Sequence, residues 1–340
     1  MAGTALPTTR LNYADLIKYM DPAGRVRPVV ELLAQQGAKQ LQGSMVWQPG
    51  NLPNGHKFSV RTALPTSYLR DYNEGVPPSK SAVSQLTEGM SIIESWSEID
   101  AAEAKLNGQA EMFRAQENAA FIESMWQKYS QLFIYGNAGL DSKEFNGLAT
   151  RLSATSAGNV ISAGGDAAPT NTSIYLVNFG DDVFGIYPLG SMAGLDNVDH
   201  KTQIIQFSDG KRMAALVTQF IMNCGLVVRD WRRIARIANI KVADLRARTT
   251  TQAVTAATNI VYGMSDLTQM VPDGLGTRVY LANRTVIASL MKIGLDKSQS
   301  VLSVQSGLTQ FGKPYQQVTF LDIPVIPMDR ILNTEDQVPA

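Results

Sequence analysis

From Ser97 to Tyr135 apolar side chains recur at roughly helical spacing: Ile99, Ala102, Leu106, Ala110, Phe113, Phe121, Met125, Tyr129, Leu132 and Phe133. Gly108 and Ser124 weaken this run without forbidding a helix. Unbroken, it would extend about 55 Å at 1.5 Å per residue, longer than an ordinary domain core needs. Gly136-Asn137-Ala138-Gly139 then supplies a C-terminal stop. Such a rod predicts a spine along which other elements are laid.

Beyond the spine, residues 153–172 are small and polar and read as a loop. From Ser173 the pattern becomes β. Ile174–Phe179 and Val183–Pro188 flank Gly180-Asp181-Asp182, and Thr202–Phe207 and Met213–Phe220 flank Ser208-Asp209-Gly210-Lys211, two hairpin signals. After Ala247 a helix is expected over Thr251–Ser265 and a strand over Arg278–Leu281. Asn283 caps a helix over Thr285–Lys292 that Gly294 ends, and Val318–Phe320 and Ile323–Ile326 read as late strands. The class is α+β with two bodies.

Ahead of the spine, residues 1–44 carry two short helical signals, Tyr13–Met20 and Val29–Ala34, stopped by Asp21-Pro22 and Gly37. They read as an arm with too little sequence for its own core. Met45–Gln48 and Lys57–Thr62 look like strands, joined by the turn-rich Pro49–Gly55. Arg70–Pro78 offers little to bury, so residues 45–80 are expected to project as a long hairpin or loop that touches a neighbour. The contact candidates are Trp47, Asn54, Lys57, Phe58 and Arg70.

The chemistry of catalysis is missing from the pattern. No Gly-rich loop followed by Lys and Ser/Thr occurs, and no serine sits between glycines at nucleophile-elbow spacing. With one cysteine and two histidines, His56 and His200, neither a disulfide, a transition-metal site nor a catalytic triad is expected. No cofactor is expected either. Cys224 reads as a small buried hydrophobe, and His200 with Asp196 and Asp199 as a solvated turn. No apolar run is long enough for a membrane helix, and the start of the chain lacks the character of a signal peptide. Thirty basic and thirty acidic side chains give zero net charge, which suits a subunit packing against copies of itself. One stretch departs from this balance. Residues 211–248 hold nine basic side chains against two acidic ones, with Arg229, Arg232, Arg233 and Arg236 at its centre. Intersubunit ion pairing with a solvated face is the plainer reading, and a surface facing DNA phosphates the sharper one. No stacking aromatic is expected beside these arginines.

Four segments in order carry a resemblance. They are Ile134-Tyr135-Gly136-Asn137 with Phe145-Asn146-Gly147-Leu148 and Arg151, and Ile186–Ser191 with Ala193-Gly194-Leu195. Gly225–Asp230 with Arg236–Ile240, and Leu321–Ile326 with Asp329–Glu335, complete the set. Together they resemble the major capsid proteins of tailed bacteriophages with the Hong Kong 97-type fold. The resemblance implies an N-terminal arm (1–44), an E-loop hairpin with its flanks (45–95), a P-domain with the spine (96–245) and an A-domain (246–340). Because the strands after the spine precede the closing segment, a permuted strand order is expected. It further implies pentamers and hexamers in an icosahedral virion shell around double-stranded DNA, assembled in the host bacterial cytoplasm. Scaffold, portal and decoration proteins would be partners, with no membrane involved. No long coiled-coil delta domain is present, so a separate scaffold or a cleaved form is expected. Lys57 is the residue at which an isopeptide crosslink of the kind some relatives make would form, against the commoner solvated lysine. The alternatives are an encapsulin-like compartment shell, a tail or portal component, a nucleic-acid-binding module and, from another class, a cytosolic hydrolase.

Overall fold

The computed structural model describes Gln35 and residues 38–339, apart from 106–109, 166, 207–209, 247–250, 275, 296–301 and 309–313. The arm helices expected at 13–20 and 29–34 lie outside these residues. Helix α1 (Ala38–Ser44) leads into β1 (Trp47–Pro49), then β2 (Gly55–Ala63), β3 (Ala82–Gly89) and β4 (Ser91–Asp100). The one-turn α2 (Ala101–Ala104), the spine α3 (Ala110–Tyr135) and α4 (Leu148–Arg151) follow. Next come β5 (Val160–Ser162), β6 (Asn171–Gly180), β7 (Val183–Tyr187), β8 (Gly194–Gln206), β9 (Arg212–Val228) and β10 (Ile234–Lys241). The rest is α5 (Val242–Arg246), α6 (Thr251–Met270), β11 (Gly276–Ala282), α7 (Arg284–Leu295), β12 (Leu302–Leu308), β13 (Pro314–Phe320) and β14 (Ile323–Pro327).

The apolar run of β6 has a specific cause, because this strand is covered on both faces. Tyr175, Val177 and Phe179 join the core of α3, where Phe133 lies 6.3 Å from Phe179. Ile174 and Leu176 point the other way, against Ile260, Val261, Met264 and Leu267 of α6 and Val286 and Leu290 of α7. Strand side chains alternate between faces, so the stretch of a strand that lies between two covering layers is apolar on both faces, as Ile174–Val177 is. β6 is central in a seven-stranded sheet of order β12-β13-β14-β11-β6-β10-β5. A second sheet is built on β9, a 17-residue strand that pairs with β4, β7 and β8, while β1 adds to β7 in parallel. Phe220, Met222, Cys224 and Leu226 of β9 reach the same α3 core, so the spine serves both sheets.

Several expectations are corrected. The spine begins at Ala110, not Ser97: residues 97–100 belong to β4, and the helix of 26 residues spans about 39 Å. Ile99 fits the helical register by coincidence, since it alternates with Glu98 and Asp100 as a strand residue and packs on Phe113. β1 and β2 do not form a hairpin together; β1 pairs with β7, and β2 pairs with β3 across a much longer loop. Nor do β6 and β7 pair across Gly180-Asp181-Asp182, because the chain changes sheet there. The β8–β9 hairpin and the helices α6 and α7 do form, with Asn283 Oδ1 accepting from Thr285 N at 2.9 Å. The boundary expected near residue 245 does not separate the sheets, since β5, β6 and β10 share one sheet with β11 to β14. A strand's sheet is chosen by distant partners, which periodicity does not encode.

The C-terminal segment is locked onto this framework by a buried charge cluster. Arg236, 3% exposed on β10, donates to Glu335 Oε2 at 3.0 Å, to Ser173 Oγ at 2.9 and 3.0 Å, and to Leu152 O at 2.9 Å. Its guanidinium lies 5.3 Å from the ring centre of Tyr175. Glu335 also accepts from the hydroxyls of Tyr135 and Ser173, and its main chain bridges to Asn171. Burial, then the neighbouring Glu335 carboxylate, raise the Tyr135 hydroxyl far above the ordinary tyrosine value. It therefore remains a donor. Asn239, at φ 59°, holds Val338 from both sides of its amide. Glu335→Leu should leave Arg236 as an uncompensated buried charge and cost about 3–5 kcal/mol, read by urea unfolding of the purified subunit. Adding Arg236→Met should restore most of that loss; additive losses would contradict the pairing.

Candidate assembly interface

The base of the β2–β3 hairpin is fixed to the body. Phe58 packs with Met90, Phe184, Ile186 and Val227 in a small buried cluster flanked by Val60. Asn51 brackets the main chain of Lys57, its amide donating to Lys57 O and accepting from Lys57 N, both at 2.7 Å. Arg151 holds Glu88 through two bonds of 2.7 and 2.8 Å and also donates to Leu226 O. This forked geometry fixes direction as well as distance. His56 meets Phe184 edge-on at 5.4 Å. Partial burial, then the charge of Arg229, lower its pKa below the ordinary 6.5.

Beyond this base the hairpin is bare. Almost every residue of β3 is exposed, as is the whole connection from Leu64 to Lys80. Leu64 is 76% and Tyr72 94% exposed, and Leu69, Val76 and Val83 are also uncovered. Isolated apolar side chains on a surface need no explanation, but a projecting ribbon that carries several marks an interaction element. Two strands alone bury too little to hold such side chains.

The five contact candidates separate cleanly. Asn54, Lys57 and Arg70 are exposed on the hairpin or its lead-in. Phe58 is buried in the cluster beneath and is corrected to an internal role, whereas Trp47 is half-buried and packs on the spine core 6.2 Å from Tyr129. The alternation of Phe58 with exposed Lys57 and Ser59 was a signal that pointed inward. Reading by loop position missed Leu64, Leu69 and Tyr72. The arginines separate too. Arg236 is internal and cannot face DNA from the folded subunit. Arg232 pairs with Asp230 at 2.8 Å and Arg233 with Asp182 at 3.1 Å. The Arg232 guanidinium holds the Asp230 carboxyl below the usual range. Arg229 has no ion pair among the described residues and lines a cavity of about 640 Å³ with Arg61, Leu64, Asp182 and Trp231. Trp231, 60% exposed, stands between Arg229 and Arg232, an exposed aromatic where no stacking platform was expected.

Among the described residues no catalytic cluster assembles. Cys224 is fully buried, its thiol pushed up to about 12 by desolvation. His200 lies on β8 and not in a turn, stacked 5.3 Å from Trp96 and bonded to Gln219 Oε1 at 2.9 Å. Among the described residues no three His, Cys, Asp or Glu side chains cluster as metal ligands, and no helix is long and apolar enough to cross a membrane.

The model of one family, described as major capsid protein GP7, matches residues 21–339. The chain belongs to that family. It is a structural subunit of a phage head and not an enzyme, and the shell is built from many copies of it. A solved structure of bacteriophage Epsilon15 is similar at 27% identity and TM-score 0.72, covering 100% of this chain and 99% of that one. The capsid of bacteriophage JBD30 is similar at 12% identity and TM-score 0.47, covering 88% and 93%. An encapsulin from Synechococcus elongatus PCC 7942 is similar at 12% identity and TM-score 0.45, covering 67% and 96%. No curated protein sequence gives a significant match. The capsid fold is the Hong Kong 97-like one, of class α+β.

His56 gives this hairpin base a measurable pH response. Its folded pKa is lowered, so its contribution to stability is complete above about 6.5 and is lost as pH falls through the folded value. The unfolding midpoint of the subunit should therefore drop more between pH 8 and pH 5 than that of His56→Gln. Equal drops in the two proteins would show that His56 is not the titrating group.

Proposed function

We propose that the β2–β3 hairpin is the E-loop by which each subunit overlaps its neighbour, closing pentamers and hexamers into an icosahedral shell around double-stranded DNA. The observation that carries this reading is the hairpin's exposed apolar tip on a firmly anchored base. The body formed by α3 and the β9 sheet corresponds to the P-domain. The seven-stranded sheet with α6 and α7 corresponds to the A-domain, drawn from both sides of residue 245 rather than from residues 246–340 alone. In a closed shell a subunit gains burial only by covering other subunits' surfaces, which suits a protein with no net charge.

Assembly in the host cytoplasm, with scaffold, portal and decoration proteins as partners, belongs to the same reading. Ala63 and Ala82 are register partners across the hairpin. Replacing residues 64–81 by Asn-Gly would therefore close it with a two-residue turn. Electron microscopy and light scattering should show shells from the native protein and none from this variant, at an unchanged unfolding midpoint. Shells of normal size from the shortened protein would refute the reading.

Arg229 and the partly neutralised Arg232 are the candidates for DNA contact, Arg233 being held by Asp182 and Arg236 buried. Contacts of this type act through phosphate charge, with no sequence readout. Arg229→Gln together with Arg232→Gln should reduce the slope of log affinity against log salt by about 2 for short duplex DNA. An unchanged slope would assign both residues to subunit contacts.

A further inference from the structure

The cavity of about 640 Å³ beside the hairpin root lies within the range of about 300–1,000 Å³ in which small molecules are bound. One side is the β2 segment Ser59–Ala63 with Leu64, and the other is Asp182 with residues 229–232. The second side is held firmly. Arg229 N donates to Asp182 O at 2.8 Å, which ties the β9–β10 connection to the β6–β7 connection. Asn159 Nδ2 donates to Trp231 O at 3.2 Å and to Ile234 O at 2.9 Å. Asp230 caps the single turn Trp231–Arg233, its Oδ1 accepting from Arg232 N at 3.0 Å. The main chain of Trp231 is thus pinned while the residue stays 60% exposed.

Charge at this cavity is unbalanced. Its two carboxylates are already engaged, Asp230 by Arg232 at 2.8 Å and Asp182 by Arg233 at 3.1 Å. Arg61 and Arg229, one from each side, meet no carboxylate among the described residues. Uncompensated guanidiniums on a cavity wall recognise an anion, and phosphate oxygens match their forked N–H donors. The exposed indole of Trp231 adds a flat platform beside them. A carboxylate from another chain would answer the arginines and leave that platform bare. Arginine with an aromatic ring is how unpaired nucleotides are held, the charge taking the phosphate and the ring the base. A duplex keeps the faces of its bases within its own stack, so it offers phosphates alone.

We infer that this cavity binds an unpaired nucleotide, its phosphate held by Arg61 and Arg229 and its base stacked on Trp231. A free nucleotide and a nucleotide within a single strand present the same phosphate and base, and the experiment separates these two sources. The inference rests on the reading of Arg229 as a phosphate contact and adds Arg61, Trp231 and the unpaired state of the base. Every base has a stacking face, so little preference among bases is expected. Occupation has a mechanical consequence as well. A phosphate bound by both arginines joins β2 to the β9–β10 connection and clamps the hairpin root to the body.

The test titrates the purified subunit with adenosine triphosphate, hexathymidylate, inorganic triphosphate and a short blunt duplex while tryptophan fluorescence is followed. Trp126 is buried and Trp47 half-buried, so Trp96 and Trp231 are the exposed reporters. Adenosine triphosphate and hexathymidylate should give a saturable quench that Trp96→Leu keeps and Trp231→Leu abolishes, with binding weakened about tenfold in the latter. Arg61→Gln should also weaken binding about tenfold at an unchanged unfolding midpoint, and lower the slope of log affinity against log salt for the single strand by about 0.7. Hexathymidylate carrying 5-iododeoxyuridine should, on irradiation, crosslink to the peptide that holds residues 229–233. Tighter binding of hexathymidylate assigns the cavity to a strand, and tighter binding of adenosine triphosphate assigns it to a free nucleotide. Inorganic triphosphate bound as tightly as adenosine triphosphate, or a quench that survives Trp231→Leu, would overturn the inference. So would the absence of any quench; if Arg61→Gln then also fails to build shells, the cavity belongs to a carboxylate of a second copy. An unchanged duplex salt slope in Arg229→Gln with Arg232→Gln sinks the phosphate reading itself. If that slope falls and no probe quenches Trp231, only the nucleotide site is wrong.

Discussion

Covering β6 on both faces is the constraint around which the rest of the subunit is arranged. One face needs the spine, the other needs α6 and α7, and the strand has no polar side to offer water. The chain meets this by weaving between sheets. It leaves the seven-stranded sheet after β6, builds the β9 sheet along the spine, and returns as β10 to pair with β6. The two sheets thus share one core through α3, and a division of the chain into consecutive domains cannot reproduce it. Arg236 sits at the point of return, and its bond to Glu335 ties the C-terminal segment across the junction.

A body this well filled makes the bare hairpin more informative. Phe58, Glu88 and Asn51 hold its base through packing, a forked ion pair and a bracketed main chain. The transition from fully buried to fully exposed apolar side chains occurs within a few residues of β2. An element that is stiff at its root and apolar at its tip is suited to reach across a neighbour without folding back on its own body.

Much of this was legible in the sequence. The spine from Ala110 onward, α6, α7 and the β8–β9 hairpin follow from periodicity and caps, which are local. The ordered motifs from Ile134 to Glu335 carried the fold class. What failed was non-local. Ser97–Asp100 looked helical because Ile99, Ala102 and Leu106 happen to fall at helical spacing, whereas β4 is a strand because β9, more than a hundred residues later, pairs with it. Arg236 looked like part of a basic surface because its partner Glu335 is 99 residues away. Phe58 was assigned outward with its loop, though a large aromatic beside a turn is as well suited to pinning it down. Trp231 stands between Asp230 and Arg232, in a stretch whose pattern is dominated by charge.

The central claim is that the hairpin's surface is buried only when subunits assemble. Hydrogen–deuterium exchange on the free subunit and on purified shells tests it directly, peptide by peptide. Assembly should slow exchange strongly over residues 56–86 while leaving β6 unchanged, since its surroundings are complete in the single chain. Equal exchange over residues 56–86 in the free and assembled protein would contradict the account.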